Sequence, residues 1–282
     1  MNYIFYYSGK IPDYVEYSVN SILNADRESN IFFCSNEEIK YKNVIHINPD
    51  KVESKLTKQV KDLNYYAGGD QNPLWAASMM RIFYLNDAAN FLNLKSFVHF
   101  DSDVMLYKPF SELSNLFNKN KFNITPLTDN FLVFGYSYIS NIDTFSEITF
   151  SISEILKNAK KYEIEFYEGN RLNEMKALYI SYLLNPKNFN LLTTLPKEKV
   201  VFDPGSYGQY LGGVHYKRFS KKYINKDHIV GKQLIKGEIK VKSKNRIPYI
   251  VKNEEIFKLA NLHVHKKILN KFMPKEFTWK TR

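Results

Sequence analysis

The 282-residue chain is predicted to fold as an α/β domain with a mostly parallel central sheet flanked by helices, and three observations predict it. Short β-prone runs alternate with segments of helical period through the first 100 residues, the pattern of a parallel sheet with crossover helices. The apolar run Ser96–Phe100 enters the acidic turn Asp101-Ser102-Asp103, as a buried strand ending at a site would. Hydrophobic residues make up 44% and charged residues 24%, a balance that excludes a disordered chain and suits a sizeable core.

Taken in order, Asn2–Tyr7 is β-prone and is broken by Ser8-Gly9-Lys10-Ile11-Pro12, and Tyr14–Leu23 then carries apolar residues near helical spacing. Ile31–Ser35 and Val44–Ile47 are two further short strands, followed by a charged, helix-prone stretch over residues 50–64. Gly68-Gly69-Asp70-Gln71-Asn72-Pro73 is a loop, and a long helix runs from Leu74 to about Phe91. Ser78, Arg81 and Leu85 share one face of it. Arg81 either snorkels from that helix or reaches a phosphate bound at the following acidic turn.

After Pro109 the spacing predicts a short capped helix from Ser111 to Phe117, strands over Phe122–Leu127 and Phe131–Tyr138, and helices over 143–161 and 171–184. Glu174 falls at the start of the last, where a carboxylate favours the helix dipole whether or not it has a second task. Phe189–Leu195 and Val200–Phe202 are apolar runs. The second meets Asp203-Pro204-Gly205-Ser206-Tyr207-Gly208-Gln209-Tyr210-Leu211-Gly212-Gly213, in which four of the 11 glycines fall within nine residues. Such a segment must turn sharply or approach another backbone closely; it is either a structural turn or a sugar-facing loop using Asp203, Tyr207 and Gln209. It matches no phosphate-cradling glycine motif.

Residues 215–252 carry a dozen Lys/Arg against Asp227 and Glu238, a solvated face or flexible excursion, with contact to an anionic substrate or membrane surface as the other reading. The whole chain has 40 basic and 29 acidic residues, net +11, which attracts anions without choosing among them. Cys34, the one cysteine, sits in an apolar run and cannot form an internal disulfide, which points to a reducing compartment. No apolar stretch reaches the roughly 20 residues of a membrane span, so a cytoplasmic protein, with peripheral membrane contact through its basic surface, is expected.

Asp101 and Asp103, one residue apart, repel each other unless a cation lies between them, and hard oxygen donors select Mn²⁺ or Mg²⁺. A diphosphate is the natural third party. Near the other end, His263 and His265 share one strand face and precede Lys266, Lys267 and Lys271, suggesting an element that returns to the same metal.

Together the β-turn-α start, the arginine-bearing helix, the strand into Asp-x-Asp and the late histidine-lysine element resemble a GT-A nucleotide-sugar glycosyltransferase, from Tyr3 to about Phe272. The resemblance implies a Rossmann-like sheet within a single domain over 1–282, residues 1–110 as nucleotide-binding half and 111–282 as acceptor-side half. It further implies that Tyr6, Tyr7 and Ser8 hold the base, that Ser78 and Arg81 contact the nucleotide, and that Asp101 and Ser102 touch ribose or metal. Asp103 and His265, or His263, are the implied metal ligands, and Lys271 stands where the glycogenin-like retaining branch places a diphosphate lysine. That branch continues Pro-Trp; here Phe272-Met273 follows.

The implied activity is metal-dependent transfer from a nucleoside diphosphate sugar, UDP-linked in the first instance, to a glycan, lipid-linked or protein acceptor. Glu174 and Asp203 are then the candidate carboxylates, as base or as stabiliser of an oxocarbenium-like transition state. Two rival classes are weaker. A haloacid-dehalogenase-like phosphatase would use Asp101 as nucleophile, but its motif belongs on an opening strand and here about 100 residues precede it. A nucleic-acid-binding protein would rest on charge and tyrosine content alone, with no recognition signature.

Overall fold

A computed structural model describes residues 1–66, 73–215 and 222–282. The first half runs β1 (Asn2–Tyr7), α1 (Tyr14–Ala25), β2 (Asn30–Ser35), β3 (Val44–Ile47), α2 (Pro49–Val52), α3 (Lys55–Asp62), α4 (Pro73–Phe91), β4 (Phe97–His99), β5 (Val104–Leu106) and α5 (Phe110–Leu113). The second half runs β6 (Phe122–Thr128), β7 (Phe131–Ile139), α6 (Ile142–Lys157), α7 (Ala159–Tyr167), α8 (Glu174–Leu184), β8 (Phe189–Leu191), β9 (Val200–Val201), α9 (Ser206–Gly212) and α10 (Ile229–Ile235). It closes with β10 (Lys240–Lys244), β11 (Ile247–Lys252), β12 (Glu255–Leu259) and β13 (Asn261–His263).

Seven strands form the main sheet in the order β3-β2-β1-β4-β7-β6-β8, and only β7 runs against the others. The α/β class with a mostly parallel sheet is therefore as expected. Side chains alternate between its two faces. Ile4, Phe32 and Cys34 face a core completed by α4, α6 and α8, while Tyr3, Phe5 and Phe33 face one completed by α1 and by Phe100, Tyr136 and Phe202. With both faces covered, the strands read as continuous apolar runs.

Local chemistry sets the boundaries. Asn141 caps α6 by accepting the N–H groups of Asp143 and Thr144, and Asn173 caps α8 by accepting that of Lys176, so the latter begins at Glu174 rather than residue 171. The helix expected over 143–161 breaks at Asn158 into α6 and α7. No side chain caps α5, which starts at Phe110 rather than behind a Ser111 cap. The loop expected at 68–73 lies outside the described residues except for Pro73, which opens α4.

The basic stretch is more ordered than a flexible excursion. Its part at 216–221 lies outside the described residues, but α10, β10 and β11 account for most of the rest, in a second sheet ordered β10-β11-β12-β9. The two hairpin turns are Asn245-Arg246 and Asn253-Glu254, all four residues at positive φ, the pairing that suits strand twist. On edge strand β10, Val241 is buried while Lys240, Lys242 and Lys244 face solvent, which blunts the edge against pairing with another chain. A third core cluster joins this sheet to α9, α10 and β13.

Candidate active site

Two backbone arrangements build the site. β4 ends at His99 and the chain turns through Asp101–Asp103, where the Asp101 N–H donates to Phe134 of β7 and the Val104 N–H donates back to the Asp101 carbonyl. β5 then pairs antiparallel with β13, His263 opposite Val104, and the Val264 N–H donates to the Asp103 carbonyl. The late histidine segment is thereby laid against the acidic turn, 160 residues away in sequence.

The glycine-rich segment is the second. It was expected as a loop or turn, yet seven of its residues form α9, because the Asp203 carboxylate accepts the N–H groups of Gly205, Tyr207 and Gly208 at 2.8–2.9 Å and so caps that helix. The same carboxylate accepts the His263 N–H at 2.9 Å, tying α9 to β13. The expected close approach is real: a Cβ on Gly208 would lie 1.8 Å from the His263 carbonyl oxygen, and one on Gly205 2.6 Å from the His265 ring.

The result is a cavity of about 730 Å³, within the range of small-molecule sites. Tyr6, Tyr7, Ser8, Ser78, Arg81, Asp101, Ser102, Asp103, Glu174, Gln209, His263 and His265 all line it. One carboxylate oxygen each from Asp101 and Asp103 and one ring nitrogen of His263 lie within 4.8 Å of one another. His263 Nε2 is 3.1 Å from Asp103 Oδ1 and 3.6 Å from Asp101 Oδ2. The ring of His265 stacks on that of His263 at 4.2 Å, and Gln209 Nε2 lies 3.4 Å from His265 Nε2.

Two carboxylate oxygens and the His263 imidazole nitrogen that faces them form a donor set that fits Mn²⁺ or Mg²⁺. His263 is the histidine within this group, and His265 stacks on its ring.

Arg81 bridges the two walls. It pairs with Asp101 through Nη1 and with both Glu174 oxygens through Nη2 at 2.7 Å, and its guanidinium lies 5.0 Å from the Phe134 ring centroid. Burial pushes the Glu174 carboxyl above its ordinary pKa, opposed by Arg81. Burial likewise opposes ionisation of Asp103, but His263 and Lys267 outweigh it and hold that carboxyl well below the usual range. Burial, reinforced by His263, lowers His265 to about 3.

Three candidates from the sequence stand outside the cavity. Asp203 is fully buried with its oxygens committed to four backbone N–H groups, and Tyr207 is fully buried with its hydroxyl donating to the Thr194 carbonyl. Lys271 is exposed in a 3-10 turn. Lys267 pairs with Asp103 instead and lines the cavity. Two cavity residues carried no sequence signal of their own: Tyr14, whose ring lies under Lys267, and Trp75 near the start of α4.

No family model and no curated protein matches the chain. Among solved structures it is similar to mouse xyloside xylosyltransferase 1, at 11% identity over 68% of this chain and 86% of that one, TM-score 0.45. It is also similar to the galactosyltransferase LgtC in complex with donor and acceptor sugar analogues (12%, 69% and 74%, TM-score 0.39) and to the glycosyltransferase GlyE of Streptococcus pneumoniae TIGR4 (12%, 68% and 44%, TM-score 0.37). At these identities and scores the likeness is one of chain path.

Among the described residues no helix is long and apolar enough to cross a membrane.

Proposed function

We propose that the chain is a metal-dependent glycosyltransferase that takes a sugar from a nucleoside diphosphate sugar, UDP-linked in the first instance, and passes it to a hydroxyl acceptor. The observation that carries this reading is the meeting of Asp101, Asp103 and His263 in one cavity that also opens onto the end of β1 at Tyr6–Ser8. Nucleotides sit at the carboxyl ends of strands in open α/β sheets, and a diphosphate there meets the carboxylates through a divalent cation. Asp101, Asp103 and His263 would hold the metal, which when bound supplies Lewis-acid neutralisation of the departing diphosphate.

The remaining roles belong to the chain. Breaking the sugar–phosphate bond leaves the bonding pair on a phosphate oxygen, and Lys267, whose ammonium already rests on Asp103, is the cation placed to receive that charge. Arg81 is held on two sides by Asp101 and Glu174, so its proposed part is to fix Asp101 in orientation. Glu174 has both oxygens on Arg81 and serves here as that guanidinium's anchor, and Asp203 as the knot joining α9 to β13. The acceptor proton is then taken by the departing phosphate oxygen.

The direct test is slow hydrolysis of a panel of nucleotide sugars with Mn²⁺, and calorimetry of UDP with and without EDTA. Hydrolysis of at least one donor and loss of UDP affinity in EDTA are expected. Affinity indifferent to metal, with no donor turned over, would sink the reading.

A further inference from the structure

Across β10, β11 and β12 the second sheet is covered on one side only, among the described residues. Side chains alternate along each strand and paired residues point the same way, so the register fixes what shares a face. Val241, Ile250 and Phe257 point inwards, into the core shared with α9, α10 and β13. Lys240, Lys242 and Lys244 point outwards from β10. On β11, Ile247 lies opposite Lys244 and Tyr249 opposite Lys242. On β12, Lys258 lies opposite Tyr249, with Ile256 two residues before it on the same face.

This outer face combines two chemistries that a surface facing only water has no reason to combine. Its lysines are unpaired: Lys61, Lys108, Lys157 and Lys232 elsewhere each meet a carboxylate, whereas Lys240, Lys242, Lys244 and Lys258 meet none among the described residues. The nearby acids are turned away, Glu255 sharing the opposite face with Lys252 and Glu238 pairing with Lys236 ahead of β10. Between the lysines stand apolar side chains left in the open, Ile256 at 66% exposure and Ile247 at 36%. Tyr249 lies between Lys242 and Lys258 and belongs to no core cluster among the described residues. At ordinary strand spacings the lysines span about 13 Å along β10 and about 10 Å from Lys242 to Lys258.

We propose that this outer face is a docking surface for a bilayer that carries anionic lipid headgroups. The ammonium groups reach headgroup phosphates and carboxylates from the ends of their flexible stems, and Ile247, Ile256 and the Tyr249 ring enter the boundary between headgroups and acyl chains. A nucleic acid would satisfy the lysines but not the isoleucines, and it would find one aromatic ring where a strand of bases needs several to stack on. The bilayer uses both halves of the face. None of these residues lines the cavity, so the proposal stands independently of the glycosyltransferase reading.

Co-sedimentation of the full chain with vesicles tests it, using phosphatidylcholine alone and phosphatidylcholine with about 30% phosphatidylserine, at about 0.1 M and about 0.5 M salt. Binding to the anionic vesicles that falls at the higher salt, and at least tenfold weaker binding to the neutral ones, are expected. Lys242→Gln with Lys258→Gln should weaken vesicle binding about 30-fold, and Ile256→Ser about fivefold. Lys61→Gln with Lys157→Gln removes the same net charge from other elements and should stay within about twofold. No binding to anionic vesicles overturns the proposal, as does an equal loss in the Lys61/Lys157 pair, which would reduce the effect to net charge. Unchanged binding in Ile256→Ser also overturns it, and so does binding of a thymidine oligonucleotide through Lys242 and Lys258 with none to vesicles. Vesicle binding with no donor hydrolysed would keep the docking face and remove the donor reading. Donor hydrolysis with no vesicle binding would do the reverse.

Discussion

Lys267 and Lys271 lie four residues apart and in different surroundings. The Lys267 N–H closes a turn onto the Val264 carbonyl, its φ is +61°, and this left-handed step turns its ammonium back onto Asp103. Lys271 follows in a 3-10 turn and faces solvent. Lys267→Ala is therefore expected to lower kcat by about 10²–10³, the loss typical of a removed charge-stabilising donor, and Lys271→Ala to stay within about twofold. Donor-hydrolysis rates for the two variants decide it, and a larger loss at Lys271 would restore the assignment that the resemblance implied. Asp101 and Asp103 were readable in the sequence because their frame is local: an apolar run, a turn, a second apolar run. The choice of lysine was not, since it depends on a backbone turn that no side-chain pattern announces.

Among elements, the junction of α9 and β13 governs the site by fixing the backbone of His263. Gly208→Ala would place a Cβ 1.8 Å from the His263 carbonyl oxygen, a clash with backbone rather than with a flexible side chain. It should destabilise the protein by about 3 kcal/mol and, by displacing His263, weaken Mn²⁺ binding; urea denaturation and metal calorimetry measure the two effects. The glycine cluster signalled close approach correctly, but the helix within it was hidden because its cap, Asp203, also answers to His263, 60 residues on. The strands of the main sheet were legible by contrast, since burial on both faces writes itself as continuous apolar runs.

The far side of α9 gives a pH dependence. His228 is 6% exposed, with Nδ1 2.9 Å from the Ser206 hydroxyl and Nε2 3.1 Å from Asn225 Nδ2, and burial lowers its pKa to about 4, with Asp227 opposing. Below about pH 6.5 the unfolded chain takes up a proton that the folded one refuses, so stability present above pH 6.5 is lost as pH falls towards 4. The shift corresponds to about 3 kcal/mol at the lower end. His228→Gln should flatten the fall in denaturation midpoint across that window, relative to the parent protein. An unchanged slope would mean that His228 is charged in the fold.

At the scale of the whole molecule the net charge of +11 meets a site whose carboxylates are already matched by cations of the chain. Arg81 and Lys267 sit on Asp101 and Asp103, so the acidic turn is neutralised before any metal arrives, and a divalent ion has to compete with Lys267 for Asp103. A diphosphate changes that balance, because it offers Lys267 an alternative anion while supplying the metal with further oxygens. Metal and nucleotide should therefore bind cooperatively, each strengthening the other by the same factor. Ligands that bind only the folded state raise its stability by about 2.7 kcal/mol at 100 times their dissociation constant. The expected thermal-unfolding pattern is a small rise in Tm with Mn²⁺ alone, a small rise with UDP alone, and a rise with both that exceeds the sum. Lys267→Ala should bind Mn²⁺ alone more tightly than the parent and lose the excess over additivity. Simple additivity in the parent protein would show that Lys267 and the metal do not share Asp103.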